Sequence, residues 1–275
     1  MKALIVLRPP ESKKLIAEAV IRLDIVKEAL ESGLLIIGAG STNGEIAARC
    51  RMQNHDTPRF LAGMITRSTL CVTPREQRLP NLVLVSGKNS TLQPKEALEM
   101  DLSPKVLIKG ANAIDPDGNC GVLMAAPDGG TVGRLLGPFM SAGWPIITPV
   151  GLEKLIPSVP NAVRQLGRWV LDRSLGASVG MMPLMNTMIV TEIEALSTLA
   201  GVSATLVAAG GICGSEGAVT LVMEGEAGQV NKALKLVEEF KGSETPQPPV
   251  QECAGCTLKC DYRGKSGEDL PRNLR

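Results

Sequence analysis

LLIIGAGSTNGEIAARC, residues 34–50, is the stretch from which the fold follows. The apolar run LLIIGAG (34–40) reads as a strand, because short unbroken apolar runs suit parallel sheets buried on both faces. A helical pattern begins at once, with Thr42-x-x-Glu45 spaced as a capping box. A turn between a strand and a helix aims backbone amides at one point, and the helix dipole adds partial positive charge there. Gly38 and Gly40 allow close approach, Ser41 and Thr42 offer hydroxyls, and Asn43 offers an amide. Two readings suit the turn: an anion-binding corner, or a tight strand-to-helix connection. It lacks the third glycine of G-x-G-x-x-G, and no Gly-Lys-Ser/Thr is present, so it is not a Walker A loop.

Working outward, the same rhythm repeats. KALIVL (2–7) reads as a strand, and Ile16, Ala19, Val20, Leu23 and Val26 fall at helical spacing. RFLAGMIT (59–66), NLVLVSG (81–87), KVLIKGA (105–111) and PIITPVG (145–151) are further strands. PKEALEM (94–100) is a short helix, Asp128 is placed to cap a helix over about 130–140, and Val163, Leu166, Gly167 and Val170 mark one face of another. Alternating strands and helices predict an α/β domain over residues 1–182, with a mostly parallel sheet flanked by helices.

The pattern changes after that. MNTMIVTE (185–192) is a strand, Thr191-x-x-Glu194 is a second capping box, ATLVAAGGI and AVTLVMEG are two strands joined by CGSEG, and Val230, Ala233, Leu234, Val237 and Phe240 line one helix face. The order β-α-β-β-α over 183–242 predicts a small α+β domain. It looks ferredoxin-like, or like the small domains of bacterial microcompartment shell proteins; the alternative is a terminal lobe of the first domain. Residues 243–275 read as a proline-rich linker and a cysteine-containing tail.

Three further loops carry polar groups where strands of a parallel sheet end, which is where ligands bind in such sheets. In KGANAIDPDGNCG (109–121), Lys109, Asp115 and Asp117 are the acid and base candidates, with Gly110, Asn112 and Asn119 beside them. APDGGTVGRLLG (126–137) places Gly129, Gly130 and Thr131 before a helix and Arg134 one turn in, a second possible anion nest. In TPVGLEKLIP (148–157), Glu153 and Lys154 follow the strand end.

G-x-G-S-T after the first clear strand resembles the sugar-phosphate isomerase, deaminase and coenzyme A transferase superfamily. KGANAIDPDGN is similar to a G-A-D-x-(I/V)-x-x-x-G pattern found in several members, and VGLEKLIPSVPNA (150–162) looks most like the lactate-utilisation (LUD) branch. The likeness covers roughly residues 30–180. It implies that Gly38, Gly40, Ser41 and Thr42 form a phosphate or cofactor loop, and that Lys109 and the 112–119 loop sit beside the reacting carbons. Asn112 stands where isomerases of this pattern place an aspartate, and an amide does not serve as a general base. Asp115 and Asp117 are the substitutes, although both fit a turn equally well. Glu45, Glu153 and Glu216 are available by type for the nucleophile of a coenzyme A transferase.

Composition bounds the rest. The 275 residues are 44% hydrophobic and 21% charged, with a net charge of +1 and only 2% aromatics. No field or stacking platform points to nucleic acid. The uncharged run 195–215 is broken by four glycines, so it reads as a helix, a strand and a turn rather than a membrane span. Seven cysteines without a secretory signal point to a reducing, cytoplasmic setting. His55, the single histidine, lies in a polar loop and reads as solvated. In CAGCTLKC, Cys253, Cys256 and Cys260 are spaced C-x2-C-x3-C, which suits an iron–sulfur cluster or zinc. Only three ligands lie there. A fourth comes from elsewhere in the chain, from another subunit or from an exogenous ligand, or else the tail is a flexible segment of reactive thiols.

The expected function is binding of a small phosphorylated or coenzyme A-type metabolite, with isomerase or transferase chemistry, by a homo-oligomer that touches neither nucleic acid nor membrane. The alternatives are a non-catalytic metabolite sensor or assembly protein, and a redox-linked protein with a metal-bearing tail.

Overall fold

The unbroken apolar runs form the inner strands of one sheet. The computed structural model describes residues 1–50 and 56–275. Its first half comprises β1 (Lys2–Leu7), α1 (Pro9–Val20), α2 (Asp24–Glu31), β2 (Leu34–Ile37), α3 (Ser41–Arg49), β3 (Gly63–Thr66), β4 (Thr69–Val72), β5 (Leu82–Val85), β6 (Lys88–Asn89), α4 (Pro94–Leu98) and β7 (Lys105–Ile108). Then come β8 (Ala113–Ile114), β9 (Cys120–Met124), α5 (Gly130–Ala142), β10 (Ile146–Pro149), α6 (Val159–Gln165), β11 (Gly180–Leu184), β12 (Met188–Val190), α7 (Glu192–Ala200), β13 (Ser203–Gly210), β14 (Ala218–Glu224) and α8 (Ala227–Phe240).

The large sheet has the order β12-β10-β7-β2-β5-β6. The strands β12, β10, β7 and β2 run parallel, and β5 pairs antiparallel to β2. Its strands alternate between two apolar layers, which is why they read as continuous runs. Leu35, Ile37, Leu84, Val106, Ile108 and Ile147 face one core; Leu34, Ile36, Val83, Leu107 and Ile146 face another, closed by Ala97 of α4 and Leu135 and Phe139 of α5.

A three-stranded antiparallel sheet, β1-β14-β13, joins the first strand to the last two. The unit expected over 183–242 is paired differently from a self-contained β-α-β-β-α module. Its first strand, β12, joins the large sheet beside β10, and β1 supplies the third strand of the small one. Both segments therefore cross the boundary drawn at 182/183. The reason is a shared core: α1 and α7 contact strands of the large sheet as well as α8, and α7 also packs on β13. One apolar cluster runs from Ile37 and Ile108 through Leu15, Ile16 and Leu196 to Val219 and Leu221.

Several local expectations also shift. The 11–31 periodicity is split into α1 and α2 around residues 21–23. α6 stops at Gln165, short of Gly167 and Val170. The second capping box forms: Thr191 N donates to Glu194 Oε2 at 2.8 Å, and Ile193 N to Thr191 Oγ1 at 3.1 Å. The first does not. Gly40 is the N-cap of α3, so Thr42 lies inside the helix, and Glu45 turns to Arg49 at 2.9 Å. The proline-rich segment expected to be an unpacked linker instead lies along β4, with Gln251 N donating to Val72 O at 2.9 Å. Among the described residues no helix is long and apolar enough to cross a membrane; the uncharged run 195–215 folds as the end of α7, then β13, then a glycine-rich turn.

Candidate functional site

Because β2, β7, β10 and β12 are parallel, their carboxyl ends share one edge of the sheet. Three of the loops singled out from sequence meet there at Gly38. A Cβ at that position would lie 2.9 Å from Lys109 Cδ and 3.2 Å from Thr131 Cγ2, so the missing side chain is what lets them pass. Asn81, which no motif marked, ties the same corner together. Its Oδ1 accepts from Ala39 N at 3.2 Å and from Thr131 Oγ1 at 3.1 Å.

Many of the expected ligand donors are spent inside the protein. Gly38 N donates to Ile108 O and Gly40 N to Phe60 O. Asn43 is fully buried, and its Nδ2 donates to Gly38 O at 2.6 Å and Ile108 O at 3.3 Å, clamping the ends of β2 and β7 together. Its Oδ1 faces the bare backbone of Gly110. Ser41 and Thr42 open α3, which has no side-chain cap, so the first-turn amides remain the part of this corner suited to an anion.

The 109–121 loop is a hairpin organised by Asp115. That carboxylate is 3% exposed and accepts from Asp117 N, Val159 N, and both the backbone and side-chain nitrogens of Asn119. Burial works against its charge, but these bonds, led by Val159 N, outweigh it and hold the carboxyl below its usual value. Such a group is a turn anchor, not a poised base. Asp117 is exposed, and Asn112 Oδ1 accepts from Leu123 N at 3.0 Å. The second nest fills itself. Gly129 and Gly130 take left-handed angles, Asp128 accepts from Gly130 N at 2.9 Å, and Arg134 pairs with Asp128 at 2.9 Å in the open.

A different set of ionisable side chains converges on the strand ends. Lys13 of α1, Lys109, Glu153, Lys154 and Glu192 form a chain of electrostatic neighbours: Lys13 feels Glu153 and Lys154, Lys109 feels Lys154, and Glu192 feels Glu153. Glu192, the first residue of α7, is fully buried. Its Oε2 accepts from Leu152 N at 2.9 Å, while Oε1 has no partner. The Ser12 hydroxyl lies beside it, short of a well-formed hydrogen bond. Burial, and then the charge on Glu153, pushes the Glu192 carboxyl up to about 7. Burial, and then Lys154, brings the half-buried Lys109 ammonium down to about 8. The same two causes lower Lys13, against the pull of Glu153 and Glu45.

Glu153 owes its position to a glycine. Its carboxylate folds back over Gly151, where a Cβ would stand 1.9 Å from Oε2 and 2.8 Å from Cδ. Oε2 is buried without a partner, and Lys154 Nζ lies 3.8 Å from Oε1. Gly151→Ala is expected to displace this carboxylate. The Glu192 carboxyl then titrates lower, while burial keeps it above the ordinary range. Carboxyl NMR titration checks this, and an unmoved Glu192 would exclude the pairing.

No protein-family model matches the chain, and no curated protein matches it. The likeness to the sugar-phosphate isomerase and coenzyme A transferase superfamily thus rests on the motifs. Among the described residues no group of three or more His, Cys, Asp or Glu side chains is arranged around one metal-ion position. Cys253, Cys256 and Cys260 lie apart from the strand ends, half-buried around a cavity of their own. His55 lies outside the described residues.

Glu153 and Lys154 were visible from sequence as charges after a strand. Lys13 and Glu192 were not, because each sits in a helix whose local pattern needs no function to explain it. The one available signal was a second acid beside the Thr191 cap.

Proposed function

We propose that the strand-end cluster binds a small phosphorylated or carboxylated metabolite, of the sugar-phosphate or acyl-coenzyme A type, and moves a proton on it. The observation that carries this reading is the buried Glu192 carboxyl beside the half-buried Glu153, with Lys13 and Lys154 near Glu153 and Lys109 near Lys154. Pairs of acids whose environments push them apart are how one site keeps a proton donor next to a base near neutral pH. Glu153 takes a proton from a carbon beside a carbonyl, and protonated Glu192 gives one to the carbonyl oxygen, which is enolisation. The lysines and the opening turn of α3 supply the positive field for the anionic group. Isomerisation uses this step directly. The order of motifs along residues 30–180 supports the same class, with Glu153 and Glu192 in place of the 112–119 loop as the acid–base groups.

Isothermal titration with inorganic phosphate tests the anion site. Lys109→Ala combined with Lys154→Ala is expected to weaken phosphate binding at least about tenfold, the scale of one lost charge-assisted contact. Equal affinity in wild type and double variant would sink the proposal.

A further inference from the structure

The cysteine tail has a fourth neighbour, Cys71 of β4. A cavity of about 470 Å³ is walled by Cys253, Cys256 and Cys260 of the tail and by Cys71 of β4. All four are free thiols. The backbone holds them there without help from a metal. Gln251 N donates to Val72 O at 2.9 Å, laying the tail along the edge of β4, and the Cys71 thiol sits 3.6 Å from Gln251 O. Cys256 N and Gly264 N both donate to Cys253 O, at 3.2 and 2.8 Å, curling the C-x2-C segment into a turn. Tyr262 N points at Cys260 Sγ at 3.3 Å. The four thiols also sense one another electrostatically: Cys256 acts on Cys71, and Cys71, Cys256 and Cys260 act on Cys253.

We propose that Cys71, Cys253, Cys256 and Cys260 together hold a four-iron, four-sulfide cluster in this cavity. The choice of cluster over a single ion follows from the spacing. Zinc needs four sulfurs about 2.3 Å from one point. Here the four cysteines line one cavity, and no three of them gather about one ion position. A cubane places each thiolate on its own iron at a separate corner, which suits four thiols spread over a wall. Loading with ferrous and ferric iron in equal amounts, together with sulfide, releases the four thiol protons and leaves a net dianion. Arg67 and Lys265 line the same cavity. The cluster would fasten residues 248–275 to the β3–β4 hairpin, independently of the strand-end site.

The test is anaerobic reconstitution of the full chain with equal amounts of ferrous and ferric iron and with sulfide. Wild type is expected to take up about four iron and four sulfide per chain and turn brown. Cys71→Ser is expected to lose most of that iron, as Cys256→Ser does, while Cys213→Ser on the exposed turn keeps it. Alkylation of the loaded wild type, mapped by mass spectrometry, guards against a variant that merely misfolds: Cys71 is expected to be protected together with the three tail cysteines. Cys71 labelled equally before and after loading, Cys71→Ser retaining wild-type iron, or one zinc per chain with no iron uptake would each overturn the proposal.

Discussion

Glu192→Gln is expected to stabilise the protein by about 3 kcal/mol at pH 8 and to change nothing near pH 4.5. Burial and the neighbouring Glu153 raise this carboxyl from an ordinary 4.5 to about 7. That difference corresponds to about 3 kcal/mol between the two protonation states. The sign follows from linkage. Between these two values the folded state binds the proton more tightly than the unfolded chain, so stability falls as pH rises. Below 4.5 both states are protonated, and above 7 neither is, so the loss is complete and constant. Gln keeps the shape, accepts the Leu152 amide and never ionises. The gap between variant and wild type should therefore open across that window and stay open. Urea unfolding at several pH values measures it, and parallel profiles would show that Glu192 does not titrate as described. Under the proposed function, this cost is the counterpart of keeping a proton on Glu192 near neutral pH.

Phe139→Ala is expected to cost about 3–5 kcal/mol, the usual range for a buried phenylalanine. Phe139 is fully buried on α5, in the core that covers Leu34, Ile36, Leu107 and Ile146. It meets Trp144 edge-on, with ring centroids 5.5 Å apart at 77°. The chain has only three phenylalanines and two tryptophans, so this pair is a large part of its aromatic packing. Small aliphatic neighbours on a rigid sheet have no way to collapse into the space, which puts the cost toward the upper end. The opposite core, which supports Lys13 and Glu192, does not include Phe139, so phosphate affinity in the folded variant should match wild type. The midpoint of urea unfolding should fall with an unchanged slope. A loss under about 1 kcal/mol would mean that α5 repacks freely, contrary to the tight core described.

The large sheet was legible because its strands are buried on both faces. Leu34–Ile37, Lys105–Ile108 and Ile146–Pro149 are buried along their whole length, with only Lys105 and Thr148 polar among them. The turn after β2 was legible as a turn for the same local reason. The uses of its side chains were not. Asn43, Asp115 and Asn119 look like ligand groups in a string of letters, but Asn43 Nδ2, the Asp115 carboxylate and Asn119 Nδ2 are taken by neighbours: Ile108 lies 65 positions from Asn43, and Val159 lies 44 from Asp115. Polar residue type marks a loop, whereas hydrogen-bond partners decide whether anything is left over for a ligand.

What the sequence alone determined is the α/β rhythm, the parallel inner strands, the helix after β2 and the tail motif with three cysteines. All are set by short-range periodicity, turn chemistry and spacing, which act within a few residues. Only the tertiary structure decided that β1 pairs with β14, that Lys13 and Glu192 join Lys109 and Glu153 at one edge, and that Cys71 faces the tail. These are meetings of segments as much as 180 or more positions apart, chosen by which apolar faces bury together. No local pattern carries that choice, because each segment satisfies its own local rules whichever partner it finds.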